Sequence, residues 1–199
     1  MTKTLDYYNE NARSFSDQTQ NVNFAKTQER FLKLMPPQGS ILDFGCGSGR
    51  DTKYFLEKGY RVDAIDGSEE LCRIASDYTG IQVRQMLFQD LDAVEQYDGI
   101  WACSSILHLK KEELRAVLLK MMTALKSTGY IYTSFKYGTF EGYRKQRYFT
   151  DFTEKTISDL LQSFPQLEIR QLWISRDVRP DREEEKWLNI LLQKIGSNS

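Results

Sequence analysis

This sequence predicts a doubly wound α/β fold: a mostly parallel sheet, helices on both faces, and an antiparallel hairpin at one edge. Three observations carry that prediction. Short apolar runs alternate with helical stretches, the pattern of strands joined by crossover helices. A glycine-rich turn, Gly45-Cys46-Gly47-Ser48-Gly49, connects the first apolar run to the next helix. The last two runs, Leu167–Ser175 and Trp187–Gln193, are separated only by a charged loop and are set to pair antiparallel.

The elements follow in order. Asn23 to Met35 reads as a helix, with Phe24, Phe31, Leu32 and Met35 on one side and Pro36-Pro37 ending it. Ile41–Phe44 is the first strand. Arg50–Lys58 is a helix closed by Gly59, and Arg61–Ile65 is the second strand. Ser68 caps the next helix, Glu69 and Glu70 suit its first turn, and Gly80 stops it. Ile81–Gln85 and Gly99–Cys103 are the third and fourth strands. Leu114, Val117, Leu118, Met121 and Leu125 mark the stripe of an amphipathic helix, with Lys126 in its last turn. Tyr130–Phe135 is the fifth strand. Lys136–Thr150 reads as a long polar loop, and such loops often carry function. Thr153 caps a helix running to Ser163, and the two final strands follow.

The 199 residues suit one domain with a sizeable core. Apolar residues make up 40% and charged residues 28%, with a net charge of -1, so no global positive field draws the chain to nucleic acid. The polar start, Met1–Asn11, lacks a signal-peptide core, and no apolar run is long enough to span a bilayer. Cys46, Cys72 and Cys103, an odd number, suit free thiols in a reducing compartment. Together these point to the cytoplasm, with no membrane partner and a monomer or homodimer. No metal-ligating cluster is expected.

The turn after the first strand carries the chemistry. Its glycines permit positive φ and let a ligand approach the backbone. Asp66 ends the second strand, about twenty residues later, where an acid can accept both ribose hydroxyls of an adenosine. A nicotinamide or flavin enzyme would prefer Gly-X-Gly-X-X-Gly, and here the third glycine comes one position early. Asp43, inside the first strand, is placed to bind a water or backbone amides near a ligand's amino group. Arg50 opens the following helix, either pairing with a ligand carboxylate or solvated. The fourth strand delivers Cys103, Ser104 and then His108 to the same crevice. His108 is the one histidine, and its ordinary pKa of about 6.5 suits a general base; packing of its loop is the alternative.

The segment Ile41–Phe135 resembles the class I S-adenosylmethionine-dependent methyltransferases, with their Rossmann-like seven-stranded fold. Gly47-Ser48-Gly49-Arg50-Asp51, followed by Gly59-Tyr60-Arg61-Val62-Asp63-Ala64-Ile65-Asp66, is similar to the branch that includes tellurite-resistance-type enzymes. Tyr97-Asp98-Gly99-Ile100-Trp101 matches the family's Phe/Tyr-Asp strand opening. Leu125-Lys126-Ser127-Thr128-Gly129 matches its Leu-Lys-Pro-Gly-Gly turn, with the proline and first glycine replaced.

The resemblance implies S-adenosylmethionine as cofactor and a small-molecule acceptor. Gly45, Cys46, Gly47 and Gly49 would line its methionine part, Asp66 its ribose, and Gly67 and Ser68 its adenine. The family often has an acid near the adenine amine after the third strand; Met86, Leu87 and Phe88 stand there instead, and Asp90-Leu91 is shifted. Family N-termini fold over the ligand, so Tyr8 could face the sulfonium or simply pack. Lys136, Arg144 and Arg147 could converge on an anionic acceptor, with Tyr148 as a wall, or stay in solvent. The implied organisation is a helical cap over residues 1–37, a cofactor core over 38–135, an acceptor-side loop over 136–152, and a C-terminal helix and hairpin over 153–199. An RNA- or protein-directed methyltransferase and a catalytically silent S-adenosylmethionine-binding protein remain alternatives.

Overall fold

The computed structural model describes residues 2–180 and 182–196. The chain starts with two short helices, α1 (Thr2–Glu10) and α2 (Ala12–Thr19), and a third, α3 (Ala25–Leu32). The core then runs β1 (Ser40–Phe44), α4 (Arg50–Glu57), β2 (Arg61–Asp66), α5 (Glu69–Thr79), β3 (Arg84–Gln85), β4 (Tyr97–Ala102), α6 (Lys111–Ala124) and β5 (Leu125–Lys136). It ends with β6 (Glu141–Arg144), β7 (Arg147–Thr150), α7 (Glu154–Leu161), β8 (Leu167–Arg176) and β9 (Lys186–Lys194).

The main sheet has the order β3-β2-β1-β4-β5-β9-β8. The first five strands are parallel, β9 runs antiparallel to β5, and β8 runs antiparallel to β9. The strand order reverses between β1 and β4, and a doubly wound sheet opens its ligand crevice there, beyond the strands' C-terminal ends.

Strand alternation divides the core. Leu42, Ile100, Ile131 and Leu192 pack on one face with α6 and α7, while Ile41, Trp101, Tyr132 and Leu191 pack on the other with α3 and α4. Trp101 stacks on Tyr132 with ring centroids 4.0 Å apart. Asp43 shares the second face and is buried there, accepting a 2.6 Å bond from the Thr52 hydroxyl of α4.

Several expectations need correction. The third helix stops at Leu32, short of Met35, and the final helix stops at Leu161, short of Ser163. The third strand shrinks to two residues because the amides of Ile81 and Val83 bond to the Thr79 and Ser76 hydroxyls of α5, which withdraws them from a ladder. Leu125 belongs to a strand: α6 ends at Ala124 and the chain turns directly into β5, where Leu125 pairs with Tyr97. Lys126 therefore serves no helix end and instead bonds Asp98 at 2.8 Å. The long polar loop folds as a separate hairpin, β6 against β7, with a two-residue turn at Lys145-Gln146.

The Leu125–Gly129 turn departs from the family pattern where the backbone notices. Thr128, in the first glycine's place, has φ 64°. A β-branched residue there is strained, by about 1–2 kcal/mol for the left-handed conformation. Thr128→Gly is expected to raise stability by up to about 1 kcal/mol once glycine's extra unfolded-state entropy is subtracted. A urea denaturation midpoint below that of the native protein would contradict this.

Candidate active site

The site grows from the turn after β1. The amides of Gly45 and Cys46 both donate to the Ile65 carbonyl of β2, at 3.0 and 2.9 Å, which bends the chain away from the sheet. Gly45 and Gly49 have φ of 87° and 80°. A Cβ on Gly45 would sit 2.5 Å from Ser105 Cβ, and one on Gly49 would sit 2.8 Å from the Thr79 methyl of α5. Gly45 thus allows β1 and the β4 loop to meet, while Gly49 lets α4 lie against α5.

Asp66, at the end of β2, accepts the Gly47 amide on Oδ2 and the Ser68 amide on Oδ1, both at 2.9 Å. Burial raises its carboxyl above the ordinary range, and these amides pull the other way. Ser68 is fully buried, caps α5 and donates to Asn9 Oδ1 at 2.6 Å.

The turn and Asp66 open into one cavity of about 700 Å³. Gly67, Met86, Leu87 and Phe88 form an apolar slot next to Asp66, and Phe88 packs on Phe44 at 4.7 Å. Cys46, Cys103 and Ser104 line the floor. Ser104 holds φ 53° and bonds Ser134 Oγ through its amide at 2.9 Å. Arg50 lines the wall but forks onto Asp51 at 2.9 and 2.8 Å, with its plane 4.6 Å over Phe24. Burial resists ionisation of Asp51, yet the Arg50 charge and the bonds from Arg50, Trp101 and Gln28 hold its carboxyl below the ordinary range. Asp43 lies behind this wall. Burial, together with the Asp51 charge, pushes its carboxyl up to about 8, against the Thr52 bond.

Helices α1 and α2 close the cavity from above. Leu5, Tyr8, Phe15 and Thr19 line it. Sequence reasoning named only Tyr8 of these. The missed signal is a stripe at helical spacing, Leu5, Tyr8, Ala12, Phe15 and Thr19, that continues from α1 into α2.

Tyr8 donates its hydroxyl to His108 Nε2 at 2.9 Å, and His108 Nδ1 lies 2.6 Å from the Tyr148 carbonyl. A carbonyl can only accept, so Nδ1 carries the proton and Nε2 offers its lone pair to Tyr8. Both nitrogens are engaged. Burial takes the His108 pKa down to about 4, the Arg147 charge adds to the fall, and the bond to Tyr148 opposes it.

The hairpin supplies the far wall. Alternation along β7 turns Arg147 and Phe149 to the cavity, whereas the Tyr148 ring packs against Tyr143 at 5.2 Å, outside the lining. Tyr148 therefore reaches the site through its backbone and does not present its ring as a wall. Arg144 lines the cavity in a forked pair with Asp151, and Lys136 lines it paired to Glu185 and near Asp177, its ammonium 4.0 Å over Trp187. The loop between β8 and β9, which the sequence presents only as a charged connection, closes this end with Asp177, Arg179, Arg182 and Glu185.

Comparison with known proteins agrees with this geometry. Residues 41–129 match a family described as a methyltransferase domain. Over that segment, somewhat under half of the chain, the sequence is similar to a methyltransferase domain. A putative methyltransferase of Bacillus subtilis, YqeM, is 31% identical over 113 residues, 51% of this chain and 46% of that protein. The chain spans about half the length of the curated relatives it matches. Among solved structures, the Burkholderia thailandensis 1,6-didemethyltoxoflavin-N1-methyltransferase, with 1,6-didemethyltoxoflavin and S-adenosylhomocysteine bound, superposes with a TM-score of 0.76 at 22% identity, covering 98% of this chain and 87% of its own. TehB of Haemophilus influenzae gives 0.72 at 19% identity, over 90% of this chain and 65% of its own. These two likenesses establish the fold.

Because His108 is the one histidine, its titration is directly readable by NMR. Its imidazole signals should stay in the neutral form down to pH 5 and move with a midpoint of about 4. The folded value lies below the ordinary 6.5, so the unfolded chain takes up the proton first, and stability should fall as pH drops from about 6.5 towards 4. His108→Gln should flatten that part of the stability curve. A midpoint near 6.5 would mean that the imidazole is not enclosed as described.

Proposed function

We propose that this chain transfers a methyl group from S-adenosylmethionine to a small, anionic acceptor. One observation carries the reading: the glycine turn and Asp66 share a single roofed cavity with Tyr8, His108 and Arg147. A volume of about 700 Å³ lies in the upper part of the usual range for small-molecule sites, about 300–1,000 Å³.

The residues suit the cofactor. A carboxylate at a strand end beside an apolar slot fits a ribose and its base, so Asp66 would take the ribose, with Gly67, Met86, Leu87 and Phe88 around the adenine. Gly45, Cys46 and Gly47 would border the methionine portion, with the paired Arg50 beside it, and Tyr8, Cys103 and Ser104 would face the reacting end. Asp43, Gly49 and Ser68 lie outside the lining and hold it in shape from behind. When bound, S-adenosylmethionine supplies an electrophilic methyl group on a sulfonium.

On the acceptor side, His108 acts as a positioning residue: it fixes the Tyr8 hydroxyl at the cavity wall. Arg147 would meet the acceptor's charge. Lys136 and Arg144 share theirs with neighbouring carboxylates and would contribute mainly shape. The roof of α1 and α2 and the hairpin wall leave a partly covered space of about 700 Å³, a size that suits a small acceptor.

Asp66→Ala should weaken S-adenosylhomocysteine binding at least tenfold in calorimetry while the protein still melts cooperatively. A hydrogen bond to a charged group is worth about 1.5–3 kcal/mol, and about 1.4 kcal/mol is tenfold. NADH should show no comparable binding. Unchanged affinity in Asp66→Ala would remove the ribose assignment, and tighter binding of NADH than of S-adenosylhomocysteine would remove the methyl-transfer reading.

A further inference from the structure

Six arginines line the cavity: Arg50, Arg144, Arg147, Arg176, Arg179 and Arg182. Five face a carboxylate within 4.0 Å, namely Asp51, Asp151, Glu184, Asp177 and Glu185 respectively for all but Arg147. Arg147 has no such partner among the described residues. Its guanidinium is held by rings instead, 4.6 Å from Tyr7, 5.8 Å from Tyr8 and 5.3 Å from Phe149. One of its five N–H groups reaches the Tyr8 hydroxyl at 3.4 Å. A cation stacked on aromatic faces keeps its in-plane donors available, and those donors match a carboxylate's two oxygens.

The same wall has little to offer as a proton acceptor. Both nitrogens of His108 are bonded. The buried carboxylates of Asp51, Asp151 and Asp177 are each forked onto an arginine. The Cys46 and Cys103 thiols are pushed up by burial, which keeps them protonated.

We infer that the acceptor enters already ionised, as a small aromatic acid whose anionic group is held by Arg147 and whose ring lies against Phe149 and Tyr8. This deepens the methyl-transfer reading and rests on it. An ionised acceptor brings its own electron pair: the new bond to the methyl carbon forms as the carbon–sulfur pair leaves on sulfur, the two charges cancel, and no proton has to be taken up by the protein.

The test uses the full chain, calorimetry, and two probes of matched shape, benzoate and benzamide. S-adenosylhomocysteine binding is measured first; its absence would bring down the methyl-transfer reading and this inference with it. In the protein saturated with S-adenosylhomocysteine, benzoate should bind at least tenfold more tightly than benzamide. Arg147→Gln should erase that preference while leaving S-adenosylhomocysteine affinity within about threefold. Arg147→Lys, which keeps the charge and loses the fork, should retain part of it. Equal affinities for the two probes, binding of neither, or a preference that survives Arg147→Gln would overturn the Arg147 assignment while the cofactor reading stands.

Discussion

A buried carboxylate holds the centre of this molecule together. Asp51 is 6% exposed and accepts from Gln28 of α3, from Arg50 beside it and from Trp101 of β4. An unpaired charge in that position would cost several kcal/mol, so each donor is required for the others to be tolerated. The bonds tie one helix of the N-terminal region, the helix after the glycine turn and a central strand to a single point. They also decide where Arg50 stands. Its fork is committed to Asp51, and its plane lies against Phe24, so the cavity wall beside the turn is a neutral ion pair backed by an aromatic ring.

A second set of contacts seats the roof. Tyr8 bonds His108, Thr4 Oγ1 accepts the Tyr148 amide at 3.1 Å, Asn9 meets Ser68, and Thr19 and Gln20 bond Ser48 at 3.0 and 3.1 Å. These anchors fall on α5, on the glycine turn, on the loop after β4 and on the hairpin. The roof is therefore fastened at four separate places around the cavity. Each bond is of the ordinary kind, contributing about 0.5–1.5 kcal/mol.

The sheet was legible because its signals are local. Apolar runs, glycine stops and the Ser68 and Thr153 caps place strands and helices without reference to distant residues. The glycine turn and Asp66 were legible for the same reason, since their spacing reflects one strand-helix-strand unit. What failed depended on particular side-chain partners that periodicity and composition do not name. Ile81 and Val83 look like strand residues, and only the hydroxyls of Ser76 and Thr79 take them out of the ladder. The hairpin hid in a polar stretch because its apolar face is thin: Gly142, Arg144, Arg147 and Phe149 offer one large apolar side chain among them. The charge pairings of Lys136 with Glu185 and of Arg144 with Asp151 span 49 and 7 residues, and composition alone cannot tell a paired cation from a free one.

The bond that sets the His108 tautomer has a consequence for how this site can change over generations. Its acceptor is the main-chain carbonyl of Tyr148, and every amino acid carries that group. The residue at this position can therefore be exchanged without altering which imidazole nitrogen holds the proton. Its neighbours at 147 and 149 face the cavity and would alter what fits there. The hairpin also shares no ladder with the seven-stranded sheet. A lineage could thus redraw its acceptor preference through alternate positions of a short appendage, while the cofactor frame and the imidazole's state pass on unaltered.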